Sequence, residues 1–286
     1  MTRPATVHAA GDIALAQRRR SPLSVGSWIG LTFLAVLAVL GPWLALKDPN
    51  AIDLRNILGD PSPQHWLGVD STGRDILSRL LAGAPVSLLG PLVVVILATI
   101  AGSALGIFSA WRGGWIDTFI SRILDILFAF PALLLAFLAI ALFGTGLQAA
   151  VIALAVAYTP YLARLVRSVA LRERQLPYVA ALEVQGQRQL RIIVAHVIPR
   201  LSPFILVQAT LSFGYALLDL AALNFLGFGA QPPQADWGSM VADGLPALLT
   251  GHPYEAVSAS LLIVVSVLIV NSAGEQLADR WSGRDD

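Results

Sequence analysis

The sequence predicts an all-α integral membrane protein with six transmembrane helices. Three observations point there. Of 286 residues, 56% are hydrophobic and only 13% charged, about half the charged share of a soluble domain. The chain carries long charge-free runs, and a helix needs about 20 apolar residues to cross about 30 Å of hydrocarbon. Most of the basic residues fall between alternate runs, as a membrane topology requires.

The first run is Ser21–Leu46. An arginine flank, "RRR" at 18–20, precedes it. Its apolar part is too long for a signal-peptide core, and no small-x-small cleavage site follows "WLALKDPN", so it reads as a retained helix. Segment 47–85 is a long outer loop punctuated by "DPN", "GDPSP" and "STGRD" turns. Within it, Ile76–Leu81 is expected to be a short interfacial helix. Val86–Trp111 is the second span. Ile126–Ala163 holds 38 residues without a charge, too many for one crossing, and "GTG" at 144–146 divides it into the third and fourth spans. Pro131 and Pro160 fall inside these spans; each removes an intrahelical hydrogen bond and favours a kink. Leu201–Leu226 is the fifth span and carries one charge, Asp219; Ala256–Gly274 is the sixth. The expected organisation is a tail at 1–26, a first helix at 27–46, the outer loop, a five-helix core at 86–276 with a polar loop at about 171–200, and a tail at 277–286.

With six spans, segments 1–20, 112–122, 164–200 and 280–286 share one side and hold 15 of the 19 Lys and Arg. Basic loops resist translocation, so that side is expected to be cytoplasmic, with both termini on it. The opposite side has Lys47, Arg55, Arg74 and Arg79 against eight acids: Asp48, Asp53, Asp60, Asp70, Asp75, Asp236, Asp243 and Glu255.

Several chemistries are disfavoured. A net charge of +1 gives no global field for nucleic acid. Without cysteine there is no disulfide, thiolate metal site or cysteine nucleophile. His8, His65, His196 and His252 are isolated, with no HExxH, and no G-x-S-x-G elbow is present. No phosphate-binding G-x-x-x-x-G-K-[ST] loop occurs either.

The stretch "YVAALEVQGQRQLRIIVAHVIPR", Tyr178–Arg200, is too polar for lipid and too apolar for a linker. Its pattern predicts a short helix over Tyr178–Val184, a break at Gly186, and a second helix over about Arg188–Val197 stopped by Pro199. Val179 and Leu182, then Leu190, Ile193, Val194 and Val197, form apolar stripes. Such a pair can fill a groove in a partner protein or lie on lipid headgroups; the pattern alone leaves both open.

This stretch resembles the conserved cytoplasmic EAA loop of ABC importer permeases. Gly186 and Pro199 have the family spacing, and "HVIPR" is similar to the family's "HILPN". Three further blocks are similar to the second permease subunit of dipeptide, oligopeptide and nickel importers: "LGVDSTGRDILSRLLAGAPVSL" at 67–88, "RILDILFAFPALLLA" at 122–136 and "LNFLGFGAQPPQADWGSMVADG" at 223–244. They occur in family order. The family's Glu-Ala-Ala is replaced by Ala180-Ala181-Leu182, with Glu183 as the candidate substitute, and Arg200 stands where the family has Asn.

The resemblance implies a type I ABC importer transmembrane domain in a bacterial or archaeal cytoplasmic membrane. It implies a second, homologous permease, two ATP-binding subunits that carry ATP and Mg, and an external peptide-binding protein. No cofactor is expected in this chain. The implied coupling residues are Tyr178, Ala181, Leu182, Glu183, Gly186, Leu190, Ile193, His196 and Pro199. The outer loop and loop 227–255 either dock the binding protein or simply cap the bundle.

Two ionisable features remain. Asp219 is a lone mid-span carboxylate, either a pathway residue or a structural group bonded to a neighbouring helix. Arg122 and Asp125 lie three apart on one helical face and are expected to form a local ion pair. The rival readings are a stand-alone secondary transporter or channel, for which a relay of buried acids or an inverted repeat would be expected, and an intramembrane enzyme, which lacks a catalytic cluster.

Overall fold

The computed structural model describes residues 22–282. The tail with His8 and Arg18–Arg20, and residues 283–286, lie outside the described residues. Among the described residues there is no strand, only an isolated bridge between Val69 and Asp75. Five helices among the described residues are long and apolar enough to cross a membrane, or six if a bent pair counts as one span.

Helix α1, Pro22–Leu44, carries the first run. The loop after it is built around Asp70. That carboxylate accepts the backbone N–H groups of Thr72 and Arg74, each at 2.8 Å, and the Thr72 hydroxyl at 2.7 Å. Helix α2 then runs from Ile76 to Arg112. The expected short interfacial helix at Ile76–Leu81 is therefore the first turn and a half of a 37-residue helix. Asp75 caps it, accepting from Ser78 N at 2.9 Å and Ser78 Oγ at 2.7 Å. The polar residues within it, Ser78 and Arg79, are buried in protein at 0% and 2% exposure.

The middle of α2 lies against α5, Leu147–Arg174, through two glycines. A Cβ on Gly102 would stand 2.8 Å from Leu162 Cβ, and one on Gly106 would stand 2.6 Å from Ala163 O. This small-xxx-small contact lets the backbones approach as membrane helices prefer.

The third span is not straight. Helices α3, Gly114–Phe128, and α4, Ala132–Phe143, meet at 91°. Pro131, at φ −55° and ψ 136°, leaves the helical region between them. At about 1.5 Å per residue, neither half alone crosses about 30 Å. The kink expected at Pro131 is thus a full break, whereas α5 runs unbroken through Pro160. Gly144 and Gly146, both at positive φ, make the turn between α4 and α5.

After α5 come α6, Pro177–Val184, and α7, Gln189–Ile192. A π turn at Ile193–Val197 joins α7 to α8, Ile198–Phe225. Pro199 does not stop the second short helix; from Gln189 to Phe225 the chain is one helix of 37 residues. Proline is tolerated there because Ile198 N–H reaches back to Ile193 O, and the wider turn makes room for the ring. Helices α9, Trp237–Leu249, and α10, Tyr254–Ser282, complete the chain.

Three apolar clusters hold the helices. One joins α2, α4, α5 and α8 around Val94, Ala98, Ile140, Leu154 and Leu220. A second joins α1, α2, α8, α9 and α10 around Leu37, Leu80, Leu217, Trp237 and Ile263. The third ties α6 and α7 beneath α2 and α5 through Trp111, Val166, Val179, Ile192 and Val197.

Candidate coupling site

The basic end of the bundle is built from α6, α7 and the ends of α2, α5 and α8. Pro177 occupies the first turn of α6, where its missing N–H costs nothing. The helix ends at Gly186, whose φ is +74°. Gly186 N–H reaches Glu183 O at 2.9 Å and Gln187 N–H reaches Leu182 O at 3.1 Å, the paired bonds of a Schellman ending. The chain turns there into α7, so the expected break is present and its cause is backbone conformation.

The apolar stripe divides in two. Val179, Ile192 and Val197 face inward at 0–1% exposure, and Tyr178, Leu182 and Ile193 are half-buried. Facing out are Ala181, Glu183, Gly186 and Pro199, with His196 half-buried. Val184 at 90%, Leu190 at 72% and Val194 at 56% make an apolar tip on either side of the glycine corner. Sequence reasoning placed Val197 among the groove-filling residues and passed over Val184. The helical period identifies an apolar face but not which neighbour claims it.

Polar ties fix the corner to the bundle. The Tyr178 hydroxyl donates to Glu173 Oε1 at 2.7 Å, and the Arg200 guanidinium lies 4.1 Å above the Tyr178 ring and 3.5 Å from the same carboxylate. Burial and the bond to Glu173 push the Tyr178 phenol up to about 12. Arg174 Nη1 donates to Ala110 O at 2.8 Å. On α5, Arg167 grips Asp117 of α3 with two bonds of 2.7 and 2.6 Å, and Ser109 donates to the same carboxylate.

The pair expected between Arg122 and Asp125 does not form. Asp125 accepts from Arg164 Nη2 of α5 at 2.8 Å instead. Arg164 also lies 4.2 Å above the Phe128 ring, one turn along α3 from Asp125, so it gains a stacking surface that the local partner lacks. Asp219 accepts from the Tyr158 hydroxyl of α5 at 2.8 Å. The signal for this partner was available: Tyr158 is a phenol within the charge-free run Ile126–Ala163.

The acidic end is built differently. Arg74 Nε binds Asp70 at 2.9 Å and Arg79 Nε stands 3.7 Å from it. Burial opposes ionisation of Asp70, but the backbone N–H of Arg74, the Thr72 hydroxyl and the Arg74 charge outweigh it and hold the carboxyl below its usual value. Asp75 is held low in the same way, burial being outweighed by Ser78 and His65, whose Nδ1 lies 2.8 Å away. Asp243 on α9 goes the other way: burial raises it despite nearby Arg79 and Arg74. Asp236, fully buried, caps α9 and accepts from Asn224 Nδ2 at 2.8 Å. Trp237 donates from its ring to Leu80 O at 2.9 Å, pinning α9 to α2. Both loops therefore pack onto the end of the bundle.

Residues 102–282 match the family described as binding-protein-dependent transport system inner membrane component. Over 266 residues, 93% of this chain and 87% of its relative, the sequence is 38% identical to the dipeptide transport system permease protein DppC of Alkalihalophilus pseudofirmus. It is 40% identical over 247 residues to the probable D,D-dipeptide transport system permease protein DdpC of Escherichia coli, covering 86% and 83%. It is 37% identical over 262 residues to the glutathione transport system permease protein GsiD of Escherichia coli, covering 91% and 86%. Among solved structures, the chain is similar to one of the MetNI methionine ABC transporter in an inward-facing conformation. The TM-score is 0.58 at 21% identity, covering 70% of this chain and 95% of that one, a likeness of fold.

Proposed function

Because this chain belongs to the family of binding-protein-dependent transport system inner membrane components, we propose that it forms half of the membrane path of a bacterial peptide importer and receives the stroke of a separate ATPase at the corner Pro177–Val197. A permease of this family works with an ATPase and a substrate-binding protein. The finer reading is one homologous second permease, two ATP-binding subunits carrying ATP and Mg, and an external peptide-binding protein docking at the acidic end. The basic end, with both termini, is cytoplasmic, and the membrane is the cytoplasmic one. Peptide as cargo follows the names of the relatives.

One observation carries the coupling role. At the end that bears most of the basic residues, Val184 and Leu190 stand out on a glycine corner whose inner face is buried and bonded. A helix lying on headgroups presents a long apolar strip. Here α6 has eight residues and offers only an apolar tip, the shape that enters a protein groove.

The test is mild-detergent extraction from native membranes. The expected product is a complex with a different permease and an ATP-hydrolysing subunit, which takes up peptide when reconstituted with the binding protein. A homodimer that transports without ATP would replace this reading with the stand-alone transporter.

A further inference from the structure

Facing sides of α5 and α8 carry a carboxylate, an amide and three tyrosines within their apolar lengths. Asp219, Tyr215 and Gln208 lie four and eleven residues apart, hence on one face of α8, along about 16 Å of helix. Tyr158 and Tyr161 of α5 meet them: Tyr158 donates to Asp219 at 2.8 Å, and the Tyr161 hydroxyl stands 3.4 Å from Gln208 Oε1. Toward the basic end the stripe continues into the Arg164–Asp125 pair, whose side chains are 47% and 56% exposed. Tyr215 is 66% exposed. Other faces of the bundle expose apolar side chains such as Ile100, Leu138, Val264 and Leu268. A carboxylate and an open ion pair are costly against lipid and belong on a wet or protein-covered surface.

We infer that this stripe is the wall this chain gives to the translocation path, and that Asp219 takes the protonated amine of the passing solute. Tyr158 is a positioning residue: its hydroxyl occupies Asp219 Oδ2, and no described residue bonds Oδ1. Tyr215, one turn away, presents an exposed ring that attracts the same cation. The inference rests on the permease reading and adds to it the pathway residues and the charge they select.

The chain has no cysteine, so single-cysteine variants report cleanly in cells that contain its natural partners. Tyr215→Cys and Gln208→Cys should react with water-soluble methanethiosulfonate reagents, while Ile100→Cys and Leu268→Cys should not. At Tyr215→Cys, the trimethylammonium reagent should react about tenfold faster than the sulfonate one after correction for their rates with free thiol. Adding Asp219→Asn should abolish that preference, and Tyr158→Phe should reduce it at equal abundance in the membrane. Stripe cysteines as inert as those on the apolar faces would overturn the pathway assignment. An unchanged preference in Asp219→Asn would overturn the amine site. Labelling needs no ATP, so a failure of ATP-driven uptake alone would count against the permease reading and leave the stripe standing.

Discussion

The two ends of the bundle solve opposite problems. At the acidic end, charge is buried: Asp70, Arg79 and Asp236 are 0–2% exposed, and two loops close over them. At the basic end, apolar side chains are exposed: Val184 and Leu190 stand in the open while every tie to the bundle is polar or lies beneath them. Buried, cross-bonded charge makes a lid that resists deformation, because removing either partner strands the other. Exposed apolar area on a rigid corner is unfavourable for a lone chain and favourable for one that expects a partner. The difference separates the scaffold end from the working end.

The comparison breaks most visibly at Trp237. Its ring is fully buried and bonded to Leu80 O. Trp237→Ala should cost about 3–5 kcal/mol, read as a large fall in the detergent melting temperature, with α9 released from α2. A melting temperature near the parent's would mean that the lid is not tightly coupled to the bundle.

At the other end, Gly186→Val should strain a left-handed residue by about 1–2 kcal/mol. An added Cβ there meets nothing within 4 Å, so the strain is purely conformational. Membrane abundance should match the parent while uptake falls. Normal uptake in this variant would show that the corner tolerates reshaping.

The smallest effect is the pH dependence of the lid. Asp70 is held below its unfolded value of about 3.9. Its contribution is complete above that value and lost as pH falls through the lower folded one. Asp243, held high, has the opposite sign: its cost at neutral pH disappears on acidification. The melting-temperature gap between the parent and Asp70→Asn should therefore hold steady near neutral pH and narrow as pH falls below about 5 and on through the lowered folded value. A constant gap would remove Asp70 ionisation from the account.

The all-helical class and most span positions were legible because charge-free runs and "GTG" are local signals. The glycine corner was legible because a left-handed helix ending favours one residue type. The unread features depend on packing or backbone geometry that the pattern of residue types does not signal. Asp70 and the loops around it make Ser78 and Arg79 internal, so α2 begins ten residues earlier than the uncharged run suggested. Arg164 takes Asp125 from Arg122 because α5 crosses α3 there. Pro131 marks a bend in the sequence, but its 91° angle depends on where α4 packs. Pro199 reads as a stop, and the π turn that accommodates it has no sequence signature of its own.

The central claim is that the apolar tip at the basic end seats the ATPase. The direct measurement is the amount of ATPase subunit retained by purified complexes carrying Val184→Asp with Leu190→Asp. Both positions are exposed, so the folded chain should lose no more than about 0.5 kcal/mol. Retention should fall at least about tenfold, as buried unpaired charge at an interface implies, and uptake should fall with it. A complex that keeps its full complement of ATPase and transports like the parent would contradict the claim and return the corner to the lipid surface.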